Sequence, residues 1–312
     1  MHISNKERNE MCTGERMNLL EYILNPSGTL TLGAIIAISY ILGTLHGITP
    51  DEHTWPITFS YAVGKYSTKG GLLAGLLFSL GFTIQRAFLT TLGYTGLARI
   101  YQVYNLDGPV YIIVGIVMFI AGSYVMHGKY LHVHLIPTHR HTEKSERIEP
   151  KKDVPLKMTV VHGLIAGFGF GAYATIITFI LAPKVPSIIY APLPGLFYGL
   201  GTMTMQIIIG AFFGGLMKKM GYNESQIKYV GLKTAGNTLY YGGLAFSIIG
   251  ALILALPSID NLAISTGNPI PNLSDIDIGF ISVVLVVGAI GIGTLVKTVM
   301  DLRKGKFNKL IP

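Results

Sequence analysis

Residues 46–53, His-Gly-Ile-Thr-Pro-Asp-Glu-His, set two imidazoles and two carboxylates directly after a long apolar run. Ionisable groups beside a run of membrane-spanning length are costly to bury and usually functional. Imidazole plus carboxylate is a ligand set for borderline divalent metals such as nickel, cobalt and zinc. His46, Asp51 and His53 are therefore candidate ligands, with Glu52 as a substitute acid. Pro50 cannot donate to the carbonyl of His46, so the helix is expected to kink or break here. The freed carbonyl then needs a partner, and a cation or a water is one solution. If the helix continued, His46 and His53 would share a face. The alternative is a helix that ends at headgroup level, with both acids and His53 in water.

A second cluster lies in residues 127–141, where His127, His132, His134, His139 and His141 make five of the nine histidines of the chain. Two His-x-His pairs offer neighbouring imidazoles, a composition suited to metal binding and equally to an inert polar linker. His162, near the start of a later apolar segment, is a further candidate ligand. Arg86 sits inside an apolar segment without an acid in its own helix. It would either pair with Asp51 and Glu52 or favour an anionic substrate. Met203 and Met205 read as packing, and Thr204, Gln206 and Asn237 as interhelical hydrogen-bonding groups.

These residues need elements to hold them. Half of the 312 residues are apolar and only 13% are charged, about half the share usual in a soluble domain. That balance excludes disorder and argues for a polytopic all-α membrane protein. With ~20 apolar residues needed per crossing, seven spans are expected, at 29–48, 71–94, 109–127, 159–182, 193–217, 236–256 and 279–299. The first 28 residues form a polar segment with an apolar patch (Leu19 to Leu24) and no signal-peptide core. Residues 54–71 combine aromatics with Lys65 and Lys69 and read as an interfacial helix. Residues 128–157 form a charged loop. Residues 257–312 supply an outer loop, the last span and a basic tail. The single cysteine excludes disulfides, CxxC redox pairs and thiolate metal sites within one chain. The excess of basic residues, net charge +8, finds its cause in loop topology without nucleic acid.

Seven spans divide the basic residues outside them seventeen against five. The rich side takes the cytoplasm. The N-terminus is then outside and the C-terminus inside, in the cell membrane, with the histidine-rich loop cytoplasmic.

Three features recur in order. His46-Gly47 returns as His162-Gly163, 116 residues on. Gly75-Leu-Leu-Phe with Leu80-Gly81 returns as Gly195-Leu-Phe-Tyr with Leu200-Gly201, offset 120. Gly115 and Gly122 return as Gly243 and Gly250, offset 128. The pattern predicts two units of three spans, 29–127 and 158–256. An odd number of spans per unit inverts the second, a common plan for secondary transporters. The competing explanation is that glycine-rich apolar helices resemble one another.

With HGITPDEH followed by a basic turn and GLLFSLG, the chain resembles the nickel/cobalt transporter superfamily from about residue 30 to 256. The hallmark there is H-x4-D-H in an early transmembrane helix with GLLFxLG in the next. His46 matches the first histidine and Asp51 the aspartate; His53 matches the second histidine with Glu52 as an insertion. GLIAGFGFGAYAT, 163–175, stands where that family has a GFGFDTATE-like stretch. The chain departs from the pattern at Phe82, often histidine there, at Gly171 in place of aspartate, and at Thr175 in place of glutamate. The resemblance implies a cation transporter of related fold, with nickel or cobalt as cargo and no resident cofactor. A histidine-rich cytoplasmic loop resembles that of the exporters more than the importers.

The leading expectation is a secondary transporter of a divalent transition metal, since no G-x4-GK[ST] is present to bind ATP. No H-E-x-x-H or paired cysteine supports an enzyme. The alternatives are an accessory component of a larger transport complex, or a transporter of a non-metal substrate.

Overall fold

In a computed structural model, the structure describes residues 19–100, 104, 106–127, 152–169 and 171–304. The short α1, Leu19–Leu24, leads into α2, Leu32–Ile48, and α3, Trp55–Gly64. Two long helices follow, α4 at Thr68–Thr95 and α5 at Asp107–His127. Next come α6, Leu156–Ala166, and α7, Ala172–Thr175, which continues through a π turn and a 3-10 turn to Lys184. Then α8, Leu193–Lys218, and α9, Glu224–Ala255, cross the bundle. A two-stranded hairpin, β1 (Ile264–Ser265) with β2 (Asp275–Ile276), precedes α10, Ile278–Val283. A π-helical stretch, Val284–Ile292, joins α10 to α11, Gly293–Arg303.

This is a helical, multi-pass membrane protein. Five helical segments among the described residues are long and apolar enough to cross a bilayer: α4, α5, α8 with the turn before it, α9, and α10 through α11. They coincide with five of the seven expected spans. The other two, 29–48 and 159–182, are shorter or interrupted. α2 stops at Ile48 and the chain resumes as α3; α6 stops at Ala166 and resumes as α7.

The expected interfacial helix after residue 54 is corrected. Every residue of α3 from Pro56 to Gly64 is buried, against α9, α8 and α4. WPITFSYAVG has no charged face to present to water or headgroups, and a helix apolar all round belongs inside the bundle. Only the flanking Lys65 and Lys69 have the expected interfacial character.

Glycines set the helix approach, as usual where no water drives association. A β-carbon on Gly75 of α4 would collide with the carbonyl of Gln206 on α8; one on Gly195 of α8 would collide with the carbonyl of Arg86 on α4. Gly43 of α2 meets Tyr198, and Gly163 of α6 meets Phe78. Gly81 meets Val160, and Gly201 meets Tyr40. Along the other seam, Gly115 meets Ser247 while Gly243 meets Phe119; Gly108 meets Leu254 while Gly236 meets Met126. These contacts make α4 antiparallel to α8 and α5 antiparallel to α9. One end of the bundle gathers the hairpin and the starts of α5, α8 and α10. The opposite end gathers Lys65, Lys152, Lys157, Lys218, Lys219 and Arg303.

Three intramembrane polar groups join helices as expected. Thr204 lies 3.0 Å from the Tyr40 hydroxyl, Gln206 donates to the Gly47 carbonyl at 2.9 Å, and Asn237 reaches Thr294 at 3.5 Å.

Candidate functional site

Two interrupted helices meet in the middle of the bundle, and each interruption has a local cause. Thr49 precedes proline, which disfavours the helical region, and it is extended at φ −75°, ψ 146°. Its amide and hydroxyl both bond the carbonyl of Leu45, at 3.0 and 2.8 Å, and close the helix. The carbonyls that the break frees find side chains and not only solvent. The Thr49 hydroxyl lies 3.4 Å from the His46 oxygen, and Gln206 takes the Gly47 oxygen. The partner that the freed carbonyls are expected to need is thus supplied by side chains. Past Pro50, a carboxylate oxygen of Asp51 accepts the amide of His53 at 3.0 Å, a local turn that orients both side chains. The carbonyl of Asp51 accepts the amides of Thr54 and Trp55, and α3 begins. The second interruption runs through Gly167, Gly169 and Gly171. Gly169 lies against the His53 imidazole, where a β-carbon would sit 2.8 Å from Nδ1.

The candidates divide in two. His46 comes from the last turn of α2, so the helix does not carry His46 and His53 on a shared face. The break brings them to one chamber instead, lined also by Asp51, Phe82, Arg86 and Tyr198. His46 is 5% exposed, Asp51 7% and His53 6%. They are buried, which excludes the arrangement with Asp51 and His53 in water. The His46 ring packs beside Phe82, 5.5 Å between centroids, and Tyr198, 5.3 Å, which are 5.9 Å from each other, with Tyr173 edge-on at 5.8 Å. The His53 ring meets Tyr111 edge-on at 5.1 Å.

Each imidazole has an acid at one nitrogen. His53 Nδ1 lies 3.1 Å from Glu52 Oε1, and His46 Nδ1 lies 3.7 Å from Asp51 Oδ2. A carboxylate at Nδ1 holds the ring and leaves Nε2 as the ligand atom. Both Nε2 atoms are buried without a hydrogen-bond partner. An unsatisfied buried polar atom costs about 1–3 kcal/mol, and a bound cation removes that cost. Ligand atoms of Asp51, Glu52 and His53 lie within 4.8 Å of one another. Ligands around a tetrahedral ion at ~2.1 Å stand about 3.4 Å apart, so closing the group on an ion needs side-chain rotation, with Glu52 either leaving His53 Nδ1 to ligate or staying there to orient the ring.

Arg86 donates from Nη2 to the Gly169 carbonyl at 2.6 Å, with its guanidinium over Phe82 at 4.9 Å and Tyr198 at 5.7 Å. It binds the second interruption as Gln206 binds the first. Met205 packs at Gly47.

His162 is not brought to this chamber. One helical turn separates it from the end of α6. Its Nδ1 donates to the Met158 carbonyl at 2.8 Å, and the Tyr61 hydroxyl lies 3.2 Å from the same nitrogen. His127, at the end of α5, is edge-on to Tyr240 at 5.8 Å, far along the chain from the break. His132, His134, His139 and His141 lie outside the described residues.

Sequence reasoning missed the chamber's neighbours. A larger cavity of about 270 Å³ adjoins it and shares Asp51, Gly171 and Asn272. The Asn272 amide donates to Thr49 at 3.3 Å, and the Tyr173 hydroxyl donates to the Pro271 carbonyl at 3.1 Å, which fixes the hairpin loop over the break. Asp277 caps α10 through the amide of Phe280 at 2.8 Å. Burial raises the carboxyl of Asp277 above the usual range against the pull of that amide, and the nearby carboxylates of Glu52 and Asp275 add to the rise. The one signal in the sequence was a loop, 257–277, that holds acids and no lysine or arginine. Comparison of the chain with protein-family models, with curated proteins and with solved structures finds no match.

Proposed function

We propose that the protein is a secondary transporter of a divalent transition-metal cation of the nickel/cobalt type. The observation that carries this reading is the meeting of two interrupted helices at buried His46, Asp51 and His53 and half-buried Glu52, with both Nε2 atoms unpartnered. Interrupted helices around a central site are the working parts of many secondary transporters. The resemblance to the nickel/cobalt superfamily supports the same positions. Phe82 and Gly171, which replace polar residues of that family's pattern, both line the chamber.

On this reading the bundle has seven crossings, five continuous and two interrupted, and the first six form an inverted repeat. The glycine contacts support it. Adding 120 turns Gly75 into Gly195 and Arg86 into Gln206, so the pair Gly75–Gln206 maps onto Arg86–Gly195. The same shift maps Gly43–Tyr198 onto Phe78–Gly163. A shift of 128 maps Gly115–Ser247 onto Phe119–Gly243 and Gly108–Leu254 onto Met126–Gly236. In this register His46 corresponds to Ala166 and not to His162, one helical turn from the correspondence that the His-Gly pairs suggested. The two halves thus present different chemistry to the chamber, histidine from one and alanine from the other.

The lysine-rich end is assigned to the cytoplasm by the positive-inside rule. With Cys12 replaced by serine, a cysteine introduced at Ile270 should react with an impermeant maleimide in intact cells. One at Lys152 should react only after permeabilisation. The reverse pattern would invert the assignment.

Arg86 favours a second reading, a substrate with an anionic group, because its guanidinium lines the same chamber. Proteoliposomes of the purified chain decide between them. Saturable movement of nickel or cobalt is expected. Absence of movement for every divalent metal tested, with movement of an organic anion, would replace the first reading by the second.

A further inference from the structure

We infer that the tip of the hairpin, residues 270–274, is the outer gate of the chamber, with Asn272 as the side chain that closes it. The outer cavity and the chamber beneath it share three lining residues, Asp51, Gly171 and Asn272. Two of them belong to the helix interruptions. Asn272 is the sole contribution of the hairpin to the chamber among the described residues, and it stands at the boundary between the two spaces. The space is about 270 Å³ on the outer side and about 10 Å³ on the inner side. A single water needs ~10–15 Å³, so the chamber is shut to anything larger as the structure stands.

Adjacent residues of the tip are tied one to each interruption. The Asn272 amide donates to the Thr49 hydroxyl at 3.3 Å, where α2 ends. The Pro271 carbonyl accepts the Tyr173 hydroxyl at 3.1 Å, where α7 begins. Thr49 and Tyr173 are both buried. The Tyr173 ring also lies edge-on to His46, so one tyrosine touches the gate and a candidate ligand. Asn272 is in the left-handed region, φ 65°, which glycine adopts at least cost. Asparagine tolerates that conformation and keeps the side chain that reaches Thr49.

A gate must also be able to leave. The hairpin is braced within itself. The Thr266 amide donates to the Ser274 carbonyl at 2.8 Å, the Leu273 amide to the Ile270 carbonyl at 3.0 Å, and the Ile270 amide to the Asn268 side chain at 2.9 Å. Residues 261–269 are exposed apart from their own turn, and 270–275 are only half-buried. The tip can therefore lift as a unit, held to the break by two neutral hydrogen bonds of modest net worth. As the entry gate of a transport route this rests on the transport reading above; as the barrier between cavity and chamber it does not.

Thiol access tests it. In a Cys12→Ser background a reporter cysteine replaces Ala174, which lines the chamber and is 1% exposed. Membrane fragments open to both faces are treated with the cationic methanethiosulfonate MTSET, so the result does not depend on orientation. The rate is read as loss of a later gel-shift label on the denatured protein. Asn272→Gly, which retains the left-handed backbone, and Tyr173→Phe, which retains the ring, each release one tether. Each should raise the rate of modification about tenfold, the upper end for one net hydrogen bond. Asn261→Gly, exposed and outside the tip, should leave the rate unchanged. A reporter at Lys152, at the opposite end of the bundle, should react alike in every background. Equal rates in the native and released chains overturn the gate, as does no reaction in any of them. An equal rise with Asn261→Gly or at Lys152 overturns it too, since the tethers would then not be its cause. If Tyr173→Phe does not fold, Asn272→Gly, at the half-buried tip, decides alone. Faster access in the released chains, with no metal moved by proteoliposomes, keeps the gate and loses the transport reading.

Discussion

Proteoliposomes carrying the His46→Ala, Asp51→Ala double variant should move nickel or cobalt at less than about one tenth of the native rate, while the protein remains folded. The factor follows from what the loss of one well-placed metal partner usually costs, 10–100-fold; here a ligand and its neighbouring acid go together. Folding should survive because the two side chains make few of the contacts that hold the bundle, whose seams run through glycines elsewhere. The imidazole nitrogen has no hydrogen-bond partner to lose, so the cost of its removal is the cavity left among the rings of Phe82, Tyr173 and Tyr198. Asp51 does orient the first turn of α3 through the amide of His53, so Asp51→Asn is the companion variant that retains this bond. Native rates from the double variant would remove these residues from the path. Thermal unfolding in detergent, measured on the same preparations, separates loss of a ligand from loss of the fold.

The second large effect belongs to the seam between α4 and α8. Replacing Gly75 or Gly195 with valine should destabilise the bundle by about 3 kcal/mol or more, at the upper end of what overpacking costs. The β-carbon in each case meets backbone, the carbonyl of Gln206 or of Arg86, which cannot rotate away as a side chain can. The helices would have to separate along most of their length. Gly33 and Gly288, which face open space, provide the comparison, and alanine there should leave the unfolding temperature nearly unchanged. Equal effects at Gly75 and Gly33 would show that the seam is looser than its contacts imply.

How much of this was legible in the sequence depended on whether a cue was local. The first interruption was legible because Pro50 enforces it through the residue before it. The long helices were legible because their apolar runs exceed a bilayer's thickness. The second interruption was not, since Gly167, Gly169 and Gly171 belong to an apolar stretch whose hydropathy does not fall. Residues 55–64 misled for a related reason. Aromatics flanked by lysine suit the headgroup layer, and only the partners of α3 show that every face is covered. His46, Asp51 and His53 announced themselves by type and spacing. Asp275 and Asp277 did not, because nothing near them refers to a break more than 200 residues earlier. His162 lies one turn from Ala166, the residue of α6 that lines the chamber. His-Gly pairs match as letters, whereas the backbone contacts of Gly43 and Gly163 support, on the proposed repeat, a register four residues further on.

The contact between Tyr61 and His162 bears on the kinetics of the transport reading. It joins α3 to α6, the two half-helices on the lysine-rich side, at a depth where Tyr61 and His162 are both fully buried. For cargo to leave by that side the half-helices must part, and a phenol and an imidazole with an unpartnered Nε2 must be wetted before the ion arrives. Passage through this half then requires water to reach two side chains that lie outside the chamber, and on that reading the rate should fall under osmotic stress, which withdraws water.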